Sequence, residues 1–337
     1  MIEGRECYLV VRLTALGDIL HTVPAVAALR AAHPNSRIDW VVERKWAPVL
    51  EGSPAINEVI PFDRSSALGA FDCVRRLRQN NYTCAIDFQG LYKSSVLALL
   101  SGAPRRIGFD RQWAREGGAA LLYTERVTPA GRHVAELNYS LAETTGASRP
   151  PKPEYPLRVP AGGAASIRAR LGELGIGGYI VVGPGGSWRA KCWPAERYGE
   201  FCREFERRSD LRVVVIHGPG EESLAEEVCN AAAPARPLAM RTTIEELMGL
   251  LAHAKCVVAA DSGPLHLAAA LGRPLVGLYG PTDPGRNGPF EPGAVVLTEA
   301  TPEEISYKRR MSYSPAMLRI SVERVVDAAI SCLKAPA

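Results

Sequence analysis

The richest group of residues that could do chemistry lies late in the chain, in the run Asp261-Ser262-Gly263-Pro264-Leu265-His266. Apolar residues before the run predict a strand, and Pro264 suits the first turn of a following helix, where its missing N–H is not needed. The free amides of Ser262 and Gly263 would then point out of the helix N-terminus, where the helix dipole favours an anion. Asp261 and Ser262 could instead be simple helix caps. The run therefore predicts an anion site or a capped helix start.

A second candidate loop, Val182-Gly183-Pro184-Gly185-Gly186-Ser187, also follows an apolar run. Its glycines permit a ligand to approach the backbone closely, Ser187 offers a hydroxyl, and Lys191 offers a positive charge for a phosphate. The loop is not a Walker A motif, because its lysine does not follow GxxxxG and has no Ser or Thr after it. A third loop, at 280–285, follows the next predicted strand. Together these loops favour a diphosphate ligand in the second half of the chain.

The first half carries a carboxylate where a dinucleotide-binding fold would carry GxGxxG. The segment Thr14-Ala15-Leu16-Gly17-Asp18 contains one glycine, so a nicotinamide cofactor is poorly supported. Asp18 follows the first predicted strand, and His21 comes a turn later. Asp18 could be a helix cap or a general base that takes a proton from a substrate hydroxyl. Neither a Ser-His-Asp pattern nor an HExxH motif is present, which disfavours a hydrolase.

These loops need a scaffold, and short apolar runs alternate with helical patterns along both halves of the chain. The predicted strands lie at 7–13, 38–42, 58–62 and 84–87, and then at 179–182, 212–216, 256–259 and 275–278. The predicted helices of the second half lie at 194–207, 221–232, 244–251, 264–271 and 322–333. Alternation of this kind is typical of parallel sheets with helices on both faces.

Proline and glycine residues at 149–153 and 161–163 predict a linker between two domains. We therefore expect an α/β protein of two Rossmann-like, doubly wound domains that face a central cleft. The N-terminal domain would span 1–155 and the C-terminal domain 156–320. The terminal segment 321–337 could cross back to the N-terminal domain as a helix.

Composition narrows the class of protein further. The chain has 337 residues, 47% of them hydrophobic and 23% charged, with no apolar run long enough to span a bilayer. Its first residues lack the apolar segment of a signal peptide, so none is expected. Its eight cysteines form no CxxC pair and no cluster with histidine, which favours reduced thiols in the cytoplasm over disulfides or a metal site. Residues 1–160 hold 20 Lys and Arg against 16 Asp and Glu, which accounts for the whole net charge of +4. The basic residues could face an anionic partner or simply belong to solvated helix faces and loops, and the small excess disfavours nucleic acid.

The motifs along the chain resemble those of the heptosyltransferases of lipopolysaccharide inner-core synthesis, glycosyltransferase family 9. They occur in the family's order and cover nearly the whole chain. They are Leu13-Thr-Ala-Leu-Gly-Asp18-Ile-Leu-His21-Thr-Val-Pro24, Asp87-Phe-Gln89-Gly90-Leu-Tyr-Lys93-Ser94, Trp113-Ala-Arg115-Glu116, His133-Val-Ala-Glu136, Lys191-Cys-Trp193-Pro194, Gly218-Pro-Gly-Glu221-Glu222, Asp261–His266 and Gly280-Pro-Thr-Asp283-Pro-Gly285. The QGLxKS and WxxRE segments are most similar to the heptosyltransferase I branch.

The resemblance implies a GT-B fold and an inverting transfer of L-glycero-D-manno-heptose from ADP-heptose to the Kdo of lipid A. It implies no metal and no cofactor, and a place on the cytoplasmic face of the inner membrane, attached peripherally through the basic surface of the first half. By motif position Asp18 would be the catalytic base. The donor would be bound by Ser187, Lys191, Glu222, Asp261, Ser262, Gly263 and His266, with Glu222 near the ribose and Asp261 at the heptose. The acidic acceptor would meet Lys93, Arg115 and His133.

Two segments depart from the family pattern. Gly186-Ser187 stands where paired threonines are expected, which shifts phosphate contacts towards backbone amides. The segment 240–243, in the expected adenine pocket, is shifted by two residues, so the base preference stays open. Heptosyltransferases II and III share most of the motifs, so a later heptose, or another donor, is an alternative. A nucleotide-sugar epimerase of the same architecture and a nucleotide-binding module without catalysis are further alternatives.

Overall fold

The computed structural model describes residues 6–63 and 65–334. The chain divides into two compact units, Met1–Arg158 and Val159–Ala337, with the division three residues after the predicted domain boundary. Within the described residues each unit contains one sheet of six parallel strands. Both sheets are covered by helices, which places the chain in the α/β class and confirms the predicted pair of doubly wound folds.

The first unit has the strand order β3-β2-β1-β4-β5-β6. Its strands are β1 Cys7–Val11, β2 Arg37–Glu43, β3 Glu58–Phe62, β4 Cys84–Asp87, β5 Arg105–Phe109 and β6 Glu125–Val127. Its helices are α1 Leu16–Leu20, α2 Val23–Ala32, α3 Ala47–Leu50, α4 Ala67–Gln79, α5 Tyr92–Leu100 and α6 Val134–Glu143. Strand β1 is buried along its whole length because it pairs with β2 and β4 and is covered on both faces.

The second unit repeats the same winding, with the order β12-β11-β10-β7-β8-β9. Its strands are β7 Tyr179–Gly183, β8 Arg212–His217, β9 Leu238–Arg241, β10 Val257–Ala260, β11 Leu275–Tyr279 and β12 Val295–Thr298. Its helices are α7 Ala161–Glu173, α8 Ala195–Arg208, α9 Glu222–Ala231, α10 Ile244–His253, α11 Gly263–Ala270, α12 Pro284–Asn287, α13 Pro315–Arg319 and α14 Val322–Lys334.

The predicted strands are confirmed to within two residues at their ends, but four others were not predicted. These are β5, β6, β9 and β12, of which β6, β9 and β12 are edge strands and β5 is the strand next to an edge. Their sequences are short or begin with charge, as in the Arg105-Arg106 start of β5, because outer strands are partly exposed and need no continuous apolar run.

The prediction that residues 161–163 belong to a linker is wrong, because they form the first turn of α7. A side chain at Gly163 would meet the carbonyl of Glu245, and one at Gly249 would meet the backbone of Ala164. These glycines therefore serve the close packing of α7 against α10, and the segment between α6 and α7 consists of residues 144–160.

The last helix, α14, packs its apolar side into the core of the second unit. Val325, Val326, Ala329 and Cys332 are buried there with residues of β11 and α8. The terminal helix, expected as a possible return to the N-terminal domain, thus belongs to the second unit. In the described part of the chain no helix is long and apolar enough to cross a membrane.

Candidate active site

The candidate residues gather at the points where the strand order of each sheet reverses. In the first sheet this point lies between β1 and β4, and in the second between β7 and β10. Doubly wound folds bind ligands beyond the carboxyl ends of the strands at this position. The loop with Asp18 follows β1, the loop 184–188 follows β7, and Asp261 follows β10. Each sequence-predicted loop therefore lies at the ligand-binding edge of its own unit.

Asp18 is held by two arginines. Its Oδ1 lies 3.0 Å from Nη2 of Arg12, and its Oδ2 accepts a hydrogen bond of 2.8 Å from Nη2 of Arg115. The contact that would make Asp18 a helix cap, from the Ala15 amide to Oδ2, is long at 3.4 Å and therefore weak. Arg12 was not singled out from the sequence, yet its side chain is almost fully buried and also donates to the carbonyl of Phe88. Asp18 is therefore the anionic centre of a charged cluster more than a helix cap.

The two arginines fix the ionisation state of Asp18. Partial burial raises its pKa, but the charges of Arg12 and Arg115 outweigh that effect and lower the pKa to about 2. The carboxylate is therefore ionised at neutral pH and ready to accept a proton or hydrogen bond. Such a low pKa also makes it a weak base until one of the arginines is drawn away.

Arg115 reaches Asp18 because the motif at 113–116, which contains Arg115, binds the motif at 87–94. The Glu116 amide donates to the Gly90 carbonyl at 2.9 Å, and the Glu116 carboxylate accepts from the Tyr92 amide at 2.6 Å. Gly90 has φ of +66°, and a Cβ there would lie 3.2 Å from the Ala114 Cα and the Arg115 nitrogen. A glycine at position 90 thus lets the segment that carries Arg115 close onto the loop after β4.

The loop after β4 is itself held from within. Buried Asp87 accepts from the amides of Gln89 and Gly90 and from the hydroxyl of Tyr123. Burial raises the pKa of Asp87. The Gln89 side chain accepts from the Leu13 amide at 2.7 Å, which ties this loop to the Asp18 loop. Asp87 and Gln89 therefore position the loop after β4 relative to the Asp18 loop.

This interlocking predicts that Gly90→Ala disturbs the site, whereas Gly102→Ala does not. Both glycines have positive φ, so alanine should cost each about 1–2 kcal/mol of stability. A Cβ at position 102 meets nothing within 4 Å, whereas one at position 90 pushes on the backbone that carries Arg115. We expect turnover to fall about tenfold or more in Gly90→Ala alone, since small misplacements are costly. Urea unfolding and steady-state kinetics of both variants test this, and equal turnover would contradict it.

The other predicted acceptor residues of this unit lie at the same edge of the sheet. The rings of His21 and His133 meet edge to face with their centroids 5.0 Å apart, and His21 contributes to lowering the pKa of Asp18. His133 is the N-cap residue of α6, where its Nδ1 accepts from the Ala135 amide. Lys93, in the first turn of α5, lies 3.6 Å from Glu43 at the end of β2. The structure thus links Asp18 with Arg115, His21 and His133, and pairs Lys93 with Glu43.

In the second unit Asp261 is the centre of a buried network. Its Oδ2 lies 2.5 Å from Nζ of Lys191 and accepts a hydrogen bond of 2.8 Å from Thr282. Its Oδ1 lies 3.1 Å from Nε2 of His266. Burial raises the pKa of Asp261, but its contacts with His266 and Lys191 prevail and lower it. Asp261 is therefore not a helix cap, and Thr282, from the loop after β11, joins the site without having been predicted.

The start of α11 keeps a donor free for a ligand. Ser262 is the N-cap residue, but its side chain makes no capping hydrogen bond, and its buried hydroxyl has no partner in the structure. The first amides of α11 point the same way. Among described side-chain atoms this hydroxyl is one of few buried without a partner, and it lies where an anion would bind. This observation favours the anion-site interpretation over the cap.

Lys191 is presented by the loop after β7. Its Nζ lies 4.3 Å from the ring centroid of Trp188, while the guanidinium of Arg309 lies 5.9 Å from the same ring. Ser187 is exposed on this loop. Trp188 and Arg309 were not predicted from the sequence, because a tryptophan in a polar loop carries no fixed meaning until its neighbours are known.

Glu222 lies at the first position of α9, where its carboxylate accepts from the Gly220 amide at 2.8 Å. Its neighbour Glu221 accepts from the Gly218 amide at 3.0 Å, and a Cβ on Gly185 would lie 2.4 Å from the Glu221 carboxylate. Glu221 therefore contacts the glycine loop after β7. The ribose contact assigned to Glu222 stays a prediction.

Comparison with known proteins decides the family. The sequence profile of glycosyltransferase family 9 (heptosyltransferase) matches residues 71–316. This chain belongs to glycosyltransferase family 9. It is 31% identical to lipopolysaccharide heptosyltransferase 1 of Pseudomonas aeruginosa, over 91% of this chain and 88% of that protein. It is also 29% identical to lipopolysaccharide heptosyltransferase 2 of Salmonella typhimurium, over 95% of this chain and 96% of that protein.

Solved structures of this family share the fold. The Escherichia coli heptosyltransferase WaaC with ADP matches with a TM-score of 0.78 and 28% identity, over 97% of this chain and 99% of that one. The same enzyme with ADP-2-deoxy-2-fluoro heptose matches with a TM-score of 0.74 over 96% of this chain and 99% of that one. The family 9 chain is therefore a glycosyltransferase of the heptosyltransferase type with a GT-B fold, as the resemblance predicted.

Proposed function

We propose that this family 9 enzyme transfers L-glycero-D-manno-heptose from ADP-heptose to the Kdo of lipid A, with inversion at the anomeric carbon. The observation that carries the proposal is the division of charge between the two units. The first unit holds a carboxylate, Asp18, among basic groups that suit an acidic acceptor. The second offers Lys191, the free Ser262 hydroxyl and helix-terminal amides, which suit a diphosphate.

In the proposed reaction the acceptor hydroxyl oxygen attacks the anomeric carbon of the heptose. The bond from that carbon to the β-phosphate oxygen breaks, and ADP leaves with the electron pair. Asp18 takes the hydroxyl proton. Lys191 and the amides of Ser262 and Gly263 stabilise the negative charge that grows on the leaving diphosphate. No metal is needed for this role, because the cation and the amides are already in place.

Arg115 links acceptor binding to the basicity of Asp18. We infer that the acceptor carboxylate shares Arg115, whose guanidinium otherwise contributes to the low pKa of Asp18. Loss of part of that cation raises the proton affinity of Asp18 when the hydroxyl is in place. The base would thus be weak in the free enzyme and stronger in the ternary complex.

Three observations support the donor and acceptor named here. The E. coli relative was solved with ADP and with a fluorinated ADP-heptose, at 28% identity to this chain. The P. aeruginosa relative is a heptosyltransferase 1. The residues assigned to the acceptor, Lys93, Arg115 and His133, all lie at the carboxyl edge of the first sheet.

The direct test is release of ADP from ADP-heptose with and without Kdo-lipid A, together with the mass of the lipid product. We expect slow release without acceptor and the gain of one heptose with it. Release only with an acceptor that already carries a heptose would assign the enzyme to the heptosyltransferase 2 or 3 type. Conversion of the free nucleotide sugar without acceptor would indicate an epimerase.

The acceptor residues give a separate prediction. Lys93→Ala, Arg115→Ala and His133→Ala should each raise the acceptor KM while the donor Kd stays unchanged, because they remove groups that neutralise or contact an anion. Added salt should raise the wild-type acceptor KM in the same direction. Arg207→Ala, at an exposed pair on α8, is the control and should behave as wild type. If the variants lose donor binding while their acceptor kinetics stay normal, these residues contact the donor and not the acceptor.

A further inference from the structure

Helix α5 has an apolar outer face. Its inner residues, among them Leu97 and Ala98, pack into the core of the first unit. Its exposed residues are Tyr92, Val96 and Leu99, spaced one helical turn apart. A surface helix ordinarily places polar residues at such positions. The exposed stripe of α5 is therefore unusual for a helix that faces only water.

Neighbouring segments extend this stripe. The 3₁₀ helix Gly117–Leu122 packs against α5, and a Cβ on Gly118 would clash with the Tyr92 hydroxyl. Helix α4 shares the same core, and its Arg78 donates to the Leu100 carbonyl at the end of α5. Leu121 is 75% exposed on the 3₁₀ helix, and Leu68 and Phe71 are 78% and 67% exposed on α4. We call these residues the α5 face: Leu68, Phe71, Tyr92, Val96, Leu99 and Leu121.

The charges around the α5 face are mainly positive. The described arginines on or against these segments include Arg75 and Arg78 on α4, and Arg106 and Arg126, which donate to the Leu122 and Ala120 carbonyls of the 3₁₀ helix. The described acids beside them include Asp63, Asp72 and Glu116, of which Asp63 pairs with Arg44 and Asp72 with Arg75. The surroundings therefore carry an excess of positive charge over the apolar centre.

We propose that the α5 face docks on the surface of an anionic lipid bilayer. Apolar side chains with arginines around them suit the boundary of acyl chains and phosphates. A second copy of this chain fits less well, because a symmetric contact would bring the same arginines against each other. The inference rests on the proposed function in one respect: Lys93, assigned to the acceptor, follows Tyr92 in the first turn of α5. Docking there would hold the acceptor edge of the first unit against the membrane that holds lipid A.

Vesicle sedimentation tests this docking. Val96→Glu, Leu99→Glu and Leu121→Glu each place a carboxylate at an exposed position, so the fold should be kept. Binding to vesicles of phosphatidylcholine with phosphatidylglycerol should fall about tenfold, since an apolar group is lost and an anion is added at an anionic surface. Leu174→Glu, at a 56% exposed leucine of the second unit, is the matched control and should bind as wild type. Binding of the wild type to phosphatidylcholine alone should be weak.

Kinetics separate docking from catalysis. With a water-soluble Kdo acceptor the three variants should keep wild-type turnover, and with Kdo-lipid A in vesicles they should lose it in proportion to binding. Unchanged vesicle binding in all three variants would overturn the proposal. So would a wild-type dimer that Leu99→Glu converts to monomers, because the face would then be a protein interface. Absence of heptose transfer by the wild type would refute the proposed function and leave the vesicle result to decide docking.

Discussion

Asp18→Asn is expected to lower kcat by about 10²–10⁴, the usual range for loss of general-base catalysis. Asparagine keeps the size of the side chain and can still accept a hydrogen bond, but it cannot take a proton. Donor affinity should change little, because the groups proposed to bind the diphosphate, Lys191 among them, belong to the second unit. The measurement is kcat with ADP-heptose and acceptor, with donor Kd from calorimetry. Asp63→Asn, which changes a carboxylate after β3 at the same edge of the sheet, is the control.

The pH dependence of this reaction tests the assignment further. With a pKa of about 2, Asp18 stays ionised in the free enzyme, so it should produce no acid limb in kcat/KM between about pH 5 and pH 8. Arg115→Met removes one cation and should raise the pKa of Asp18, which moves any such limb upwards. Turnover of Asp18→Asn within a few-fold of wild type would show that the base lies elsewhere.

Stability must be measured beside activity, because Asp18 also neutralises buried Arg12. Removing one partner of a buried ion pair costs about 3–5 kcal/mol, and less here because the Asp18 side chain is 16% exposed. The ionised carboxylate stabilises the fold above its unfolded pKa of about 3.9, and this contribution is lost as the pH falls towards about 2. Asp18→Asn should therefore unfold at lower urea concentration at neutral pH, with the difference shrinking in acid.

The sequence predicted the positions of the loops better than their contacts. Strands β1, β7 and β10 are buried apolar runs, so the loops after them could be located from hydropathy alone. The motifs around Asp18 and Asp261 were found for the same reason. Neither required knowledge of long-range contacts.

What the sequence could not give was which side chains meet across the fold. Arg12 was included in an apolar strand, and its partner Asp18 is a neighbour only because the loop turns back. Arg115 was assigned to the acceptor alone, yet it binds Asp18 from 97 residues away. Thr282 lies in a loop after β11, and only the pairing of β10 with β11 shows that it reaches Asp261. The one signal that could have marked Arg12 was its charge within an otherwise apolar run.

Lys191→Ala should weaken binding of ADP by about 10- to 150-fold, which corresponds to the loss of a charge-assisted hydrogen bond worth about 1.5–3 kcal/mol. The side chain of Lys191 is 10% exposed and contacts Asp261, which directly precedes the N-cap of α11, so water should compete little for a phosphate bound there. Adenosine, which lacks the diphosphate, should bind both proteins equally. The comparison of ADP with adenosine by calorimetry therefore isolates the phosphate contact from any general disturbance of the pocket.

The same substitution also leaves Asp261 without its cation, so its pKa should rise towards the ordinary value, although His266 and Thr282 still contact it. Heptose transfer, and the release of ADP that accompanies it, should both become slower, since the leaving diphosphate loses its stabilising charge. Lys255→Ala, at an exposed lysine that precedes β10 at the opposite edge of the sheet, is the matched control. Equal ADP affinity in Lys191→Ala and wild type would mean that Lys191 serves only to neutralise Asp261. The diphosphate would then depend on the backbone amides and Ser262, and Ser262→Ala would become the decisive variant.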